Sequence, residues 1–150
     1  DLDSSSRKKI FEFIDEDLAA DALEEIDPEY KGAIIKDISE KHQTVILDCI
    51  TLLVNNLMFT DGIDIDNASE EEINELEAYI QDQIKKLMEE VKKTDLYFVM
   101  VTNEIGLGVV PGYKLGRVYC DFVGRINQML GKLSDEVYFV VCGIPTKIKG

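Results

Sequence analysis

Two short apolar runs constrain this chain more than any other feature. Thr44-Val45-Ile46-Leu47 is continuous rather than alternating and ends in Asp48, and Leu96 to Val101 repeats the form downstream. Continuous runs of that length suit strands buried on both faces. Between them, Ser69 and Glu72 form a capping box, and Ile73, Leu76, Ile80, Ile84, Leu87 and Val91 recur at steps of three or four, which predicts a helix to about Lys93. Two strands joined through a helix imply a parallel βαβ unit, because parallel strands need a long crossover.

The remaining elements follow from similar signals. Serines 4 to 6 can cap a helix carrying Ile10, Phe13, Ile14 and Leu18, and Asp27-Pro28 opens a second helix with Ile34, Ile35 and Ile38 buried, fading near Lys41. Ile50 to Phe59 reads as a buried helix. A helix from about Lys114 to Leu133 turns Leu115, Val118, Phe122, Ile126 and Met129 or Leu130 inward, and Val137 to Cys142 and Ile144 to Ile148 read as strands. The expected architecture is one α/β domain over 1–150, with a central, mostly parallel sheet covered by helices.

Composition narrows the function classes. A 45% hydrophobic content is enough for a core, and a formal charge of −14, from 30 acids against 16 bases, opposes nucleic-acid or anionic-membrane binding. Thr44 to Phe59 is interrupted by Asp48, Asn55 and Asn56, so no membrane span is expected. Cys49, Cys120 and Cys142 have no CxxC spacing and read as reduced, cytoplasmic thiols.

Several motifs fail on inspection. Asp61, Asp64 and Asp66 resemble a calcium loop, but Ala68 stands where an acid or amide is needed and Ser69 where a glycine is needed. Gly106-Leu107-Gly108 is close to a dinucleotide fingerprint, yet Pro111 takes the place of its third glycine. Gly131-Lys132 has Ile126 at the first glycine position of a phosphate loop and Leu133 after the lysine, so the GxxxxGK[ST] motif is absent from these residues. The sole histidine, His42, lies in a polar link and reads as an exposed linker residue.

What remains is the carboxyl end of the expected sheet, where ligands gather in open parallel folds. Asp48 closes the first run, and Thr102, Asn103 and Glu104 follow the second. An acid closing a buried strand has the form of one that holds magnesium in phosphoryl transfer, since a hard cation takes oxygen ligands; the same residue type also caps helices. Arg117 and Arg125, eight apart on one helix, lie within about 80° around its axis and could both face an anion, or pair with nearby acids.

Ile46-Leu47-Asp48-Cys49-Ile50-Thr51 with Asn55, Asn56 and Leu57, then Val101 to Gly106, Gly108 and Val110-Pro111, then Leu115, Arg117, Asp121, Gly124-Arg125, Asn127-Gln128 and Asp135-Glu136-Val137, together resemble one family. From about residue 44 to its end, the chain is similar to the adenosylcobinamide kinase and adenosylcobinamide-phosphate guanylyltransferase family. The resemblance implies a three-layer, RecA-like phosphate-loop fold with helices on both faces, a homotrimer, and two reactions. A nucleoside triphosphate, ATP or GTP, phosphorylates adenosylcobinamide; GTP then donates GMP through a guanylylated histidine.

Carried onto this sequence, the resemblance makes Asp48 the Mg2+ ligand and a catalytic acid, with Glu104 as a second catalytic residue. It assigns nucleotide or substrate contacts to Thr51, Thr102, Asn103, Gly106, Gly108 and Pro111, with Arg117 and Arg125 as candidate anion donors. The family's glycine-rich loop and histidine-arginine segment have no counterpart in residues 1–43, a divergent, acidic, helical part. An upstream strand and phosphate loop preceding Asp1 are therefore expected in the native protein. Gly112 and Tyr113 replace the family's usual Glu-Asn, and an arginine-rich stretch is reduced to Arg117-Val118-Tyr119-Cys120-Asp121, each lost arginine removing a fixed fork of donors. A degenerate homologue serving as a nucleotide-binding or assembly subunit is the alternative expectation.

Overall fold

The structure, a computed structural model, describes residues 28–60 and 62–150. The helix expected after the serines at 4 to 6, the Asp27 cap and Asp61 lie outside these residues. The chain divides into two units, Asp1–Asn103 and Glu104–Gly150.

In the first unit, α1 (Pro28–Ser39) buries Ile34, Ile35 and Ile38, as their spacing predicts, and packs on α3. Strand β1 (Thr44–Asp48) leads through Cys49 into α2 (Ile50–Phe59), which buries Ile50, Leu53, Val54, Leu57 and Met58. Helix α3 (Glu70–Val91) begins with the expected box: Ser69 Oγ accepts from the Glu72 amide at 3.2 Å, and the Ser69 amide donates to Glu72 Oε2 at 2.7 Å. Each bond satisfies a donor that a helix start leaves open. Ile80, Ile84, Leu87 and Val91 form its buried stripe. Between the helices, the Asp64 carboxylate accepts from the Asp66 amide and the Asn67 side chain, so it closes a turn.

Strand β2 (Tyr97–Val101) pairs with β1 in parallel, from Thr44 opposite Tyr97 to Asp48 opposite Val101. The βαβ unit is thus formed as expected. Burial on both faces of β1 is not: Leu47 is fully buried, whereas Thr44 and Asp48 are exposed and Ile46 is 53% exposed. Both faces carry apolar side chains, but only the Leu47 face is packed among the described residues.

In the second unit, a 3-10 turn (Ile105–Leu107) precedes α4 (Lys114–Leu133), which buries Phe122, Val123, Ile126 and Leu130. Strands β3 (Val137–Val141) and β4 (Ile144–Lys149) form an antiparallel hairpin. Its two-residue turn places Cys142 at φ 51° and Gly143 at φ 78°, the left-handed backbone that tight hairpins require. The Lys149 ammonium donates to the carbonyls of Gly131 at 2.9 Å and Lys132 at 3.0 Å, satisfying acceptors that the end of α4 leaves open. Among the described residues the first unit has one parallel strand pair and the second one antiparallel pair, so the class is α/β and the last two strands depart from the parallel arrangement expected. The reason is local: two residues separate β3 from β4, too few for a parallel crossover. No helix among the described residues is long and apolar enough to cross a membrane.

Candidate active site

The parallel register sets the site in the first unit. Because Asp48 stands opposite Val101, the chain leaves both strands at the same level, and Cys49, Thr51, Thr102 and Asn103 follow there. Thr51 is 5% exposed in the first turn of α2. Its Oγ1 accepts from Asn103 Nδ2 at 3.1 Å and lies 2.6 Å from Cys49 Sγ, which is itself 4.0 Å from Asn103 Nδ2. A thiol, a hydroxyl and an amide therefore form one small polar cluster, beside the acid that ends β1. Asp48 itself is exposed.

Of these residues, Asp48, Thr51, Thr102 and Asn103 are expected from sequence; Cys49 is not. Its position immediately after Asp48 in the quoted motif was the available signal, but no spacing rule marks a lone thiol as part of a cluster.

The donors at this edge are few. Among the described residues, no group of three or more His, Cys, Asp or Glu converges on a common point. Magnesium does not need one, because it keeps several waters and is commonly held by one or two carboxylates together with substrate phosphates. Asp48 supplies an exposed carboxylate of that kind.

The second unit carries the other candidate residues. Glu104 precedes the 3-10 turn and its Oε1 accepts from the Gly106 amide at 3.2 Å, so the carboxylate braces the loop. The loop presents its apolar side chains outward, with Val109 96% exposed and Leu107 and Val110 exposed as well. Arg117 Nη1 donates to the Pro111 carbonyl at 3.3 Å, and Arg125 Nη2 lies 3.9 Å from Asp121 Oδ2 one helical turn away. Both guanidinium groups thus have protein partners, and both are exposed.

Gly116 is a further residue that sequence reasoning passes over. A Cβ there would lie 2.7 Å from Pro111 Cβ and 2.8 Å from Tyr113 Cε2, so only glycine lets α4 approach the loop this closely. A glycine early in a helix is the one signal that could have found it, since that residue is otherwise unfavourable there. His42 is exposed, as its polar link predicts.

A family model described as cobinamide kinase / cobinamide phosphate guanyltransferase matches residues 14–148. The chain belongs to this family. The match starts at residue 14, earlier than the residues carrying the resemblance, so much of the acidic N-terminal part falls within it. The chain is 39% identical over 108 residues to the bifunctional adenosylcobalamin biosynthesis protein CobU of Escherichia coli, covering 72% of this chain and 59% of that protein. It is 40% identical over 105 residues to CobU of Salmonella typhimurium, covering 70% and 58%. The CobP protein of Pseudomonas aeruginosa, with the same description, is 28% identical over 119 residues, covering 79% and 61%. The aligned region thus spans about three-fifths of each relative.

Proposed function

We propose that the protein containing this chain phosphorylates adenosylcobinamide with a nucleoside triphosphate, ATP or GTP, in cobalamin biosynthesis. The observation that carries this reading is Asp48: an exposed carboxylate at the carboxyl end of a parallel strand, beside Thr51, Thr102 and Asn103, in a member of the cobinamide kinase family. Phosphoryl transfer depends chiefly on positioning and on offsetting charge at the phosphate oxygens. Mg2+ bound at Asp48 would supply part of that offset.

Within this reading, Asp48 is the metal-binding catalytic acid and Glu104 a second catalytic carboxylate whose direction is set by its bond to the Gly106 amide. Thr51, Thr102 and Asn103 contact nucleotide or substrate from the strand ends. In the second unit, Gly106, Gly108 and Pro111 are further nucleotide or substrate contacts of the proposal, and Arg117 and Arg125 its anion donors. The same proposal includes a RecA-like layered sheet, a phosphate loop outside these 150 residues, a homotrimer and a cytoplasmic location. GMP transfer, named in the family description, is the second proposed step; no counterpart of its histidine occurs among the 150 residues, His42 being in a different sequence context.

Incubating the purified native protein with adenosylcobinamide, Mg2+ and γ-labelled ATP or GTP tests the kinase step. Label appearing on the corrinoid is the expected result. Nucleotide binding without transfer from either triphosphate would replace the kinase reading with that of a nucleotide-binding or assembly subunit. α-Labelled GTP, supplied after the first step, tests GMP transfer separately.

A further inference from the structure

Asn103 and Thr51 lie 52 residues apart in sequence and meet because β1 and β2 are parallel and in register. The contact falls at a helix start with little local capping. Helix α2 begins directly after Asp48 and Cys49, yet Cys49 makes no side-chain cap hydrogen bond and the first turn contains no acid. Helix starts are ordinarily held by such groups, each worth about 1 kcal/mol. Here the first turn is tied from across the sheet, through the buried Thr51 hydroxyl and the Asn103 amide, alongside the local contact of Thr51 with Cys49 Sγ.

Asp48 depends on that tie. Asp48 is exposed at the end of β1, and the backbone on either side sets where its side chain starts: strand β1 before it, and the turn into α2 after it. The strand side is fixed by the ladder to β2. The helix side is fixed through Thr51.

We infer that Asn103 is a positioning residue: by donating to Thr51 it locks the turn that follows Asp48 and so places the Asp48 side chain. The inference rests on Asp48 being the metal-binding acid of the proposed kinase. It gives Asn103 a role through Thr51, in addition to the nucleotide or substrate contact proposed for it above.

Three variants of the native protein test it. Asn103→Leu removes the donor without adding charge, Thr51→Val removes the acceptor at nearly constant shape, and Thr51→Ser retains the hydroxyl. Misplacement of a reacting group by about 1 Å can cost about 100-fold, so the first two variants are each expected to lower kcat by roughly 10- to 100-fold, whatever change in nucleotide KM accompanies it. Thr51→Ser should recover most of the rate, and the Asn103→Leu/Thr51→Val double variant should lose clearly less than the product of the two single effects, because the two residues share one hydrogen bond. Unchanged kcat, a change confined to KM, or Thr51→Ser as slow as Thr51→Val would overturn the assignment.

A second readout does not require turnover. Cys49 lies against Thr51, so loosening the turn should expose its thiol: in Asn103→Leu, the alkylation rate of Cys49 relative to exposed Cys142 should rise about fivefold or more by peptide mass spectrometry. An unchanged ratio would overturn the lock even if wild-type protein proved inactive on adenosylcobinamide. Inactive wild-type protein would count against the kinase reading; active wild-type protein with indifferent variants would count against the positioning role alone.

Discussion

Asp48 stands directly across from Val101 in the parallel ladder of β1 and β2. That one register assignment puts the residues after each strand at a common edge and leaves Leu47, one position earlier, opposite Met100. Leu47 is fully buried and is the anchor of this edge. Leu47→Ala should therefore lower stability by roughly 2–5 kcal/mol through lost apolar burial and a residual cavity. Urea titration followed by circular dichroism checks this; a loss below about 1 kcal/mol would mean that β1 is not held by its inward face.

Gly116 tests the close approach of α4 to its preceding loop. Gly116→Ala places a methyl group within 2.8 Å of the Tyr113 ring and closer still to Pro111. Alanine favours a helix over glycine by about 1 kcal/mol, but overpacking costs about 1–3 kcal/mol. The contact with Pro111 cannot be relieved by a flexible side chain, so net destabilisation is expected in thermal unfolding. A clear rise in Tm would contradict the packing described.

The hairpin carries a pH signature. Tyr138 Oη donates to Glu136 Oε2 at 2.7 Å and Lys147 Nζ to Glu136 Oε1 at 2.9 Å, and Lys147 lies 5.7 Å above the Tyr138 ring. The hydrogen bond from Tyr138, followed by the bond from Lys147 and its charge, lowers the Glu136 pKa from its ordinary value. A depressed carboxylate contributes stability that is present above its unfolded pKa and is lost as pH falls through the folded one. Acid titration by NMR should therefore show Tyr138 and Lys147 responding together below the usual glutamate range. Tyr138 and Lys147 are themselves raised, chiefly by their hydrogen bonds to Glu136, so the cluster also loosens as pH rises through their folded pKa values. Glu136→Gln should abolish the acid step; persistence of that step would assign it to another group.

Gln83 offers a test inside α3. Its Oε1 is buried with no hydrogen-bond partner among the described residues. Gln83→Met keeps the length of the side chain while removing an unsatisfied carbonyl, and should stabilise the protein by about 1 kcal/mol. A lower urea midpoint in the variant would show that this oxygen has a partner.

The elements legible in the sequence are those whose determinants are local. Ser69 and Glu72 start α3 by bonds between neighbours, and the bounds of α2 and α4 follow from helical periodicity together with polar residues at their ends. The candidate residues Asp48 and Asn103 were legible because a parallel pair brings strand ends together, whereas Thr51 came only from the family resemblance. Cys49 was not, since its contact with Thr51 depends on the exact path into α2. One-sided burial of β1 was illegible for a different reason: apolar residues report what a strand can bury, whereas the packing around Ile46 decides what it does bury. The Cys142-Gly143 hairpin was readable in principle from two strand-like runs separated by two residues, one of them glycine.

The most direct test of the account is the magnesium dependence of adenosylcobinamide phosphorylation by native protein carrying Asp48→Asn, compared with wild type. The substitution preserves shape and removes the charge that a hard cation requires, so circular dichroism should be unchanged and kcat should fall by at least about 100-fold at saturating Mg2+. Wild-type turnover with an unaltered magnesium profile would contradict the claim that the Asp48 carboxylate holds the metal.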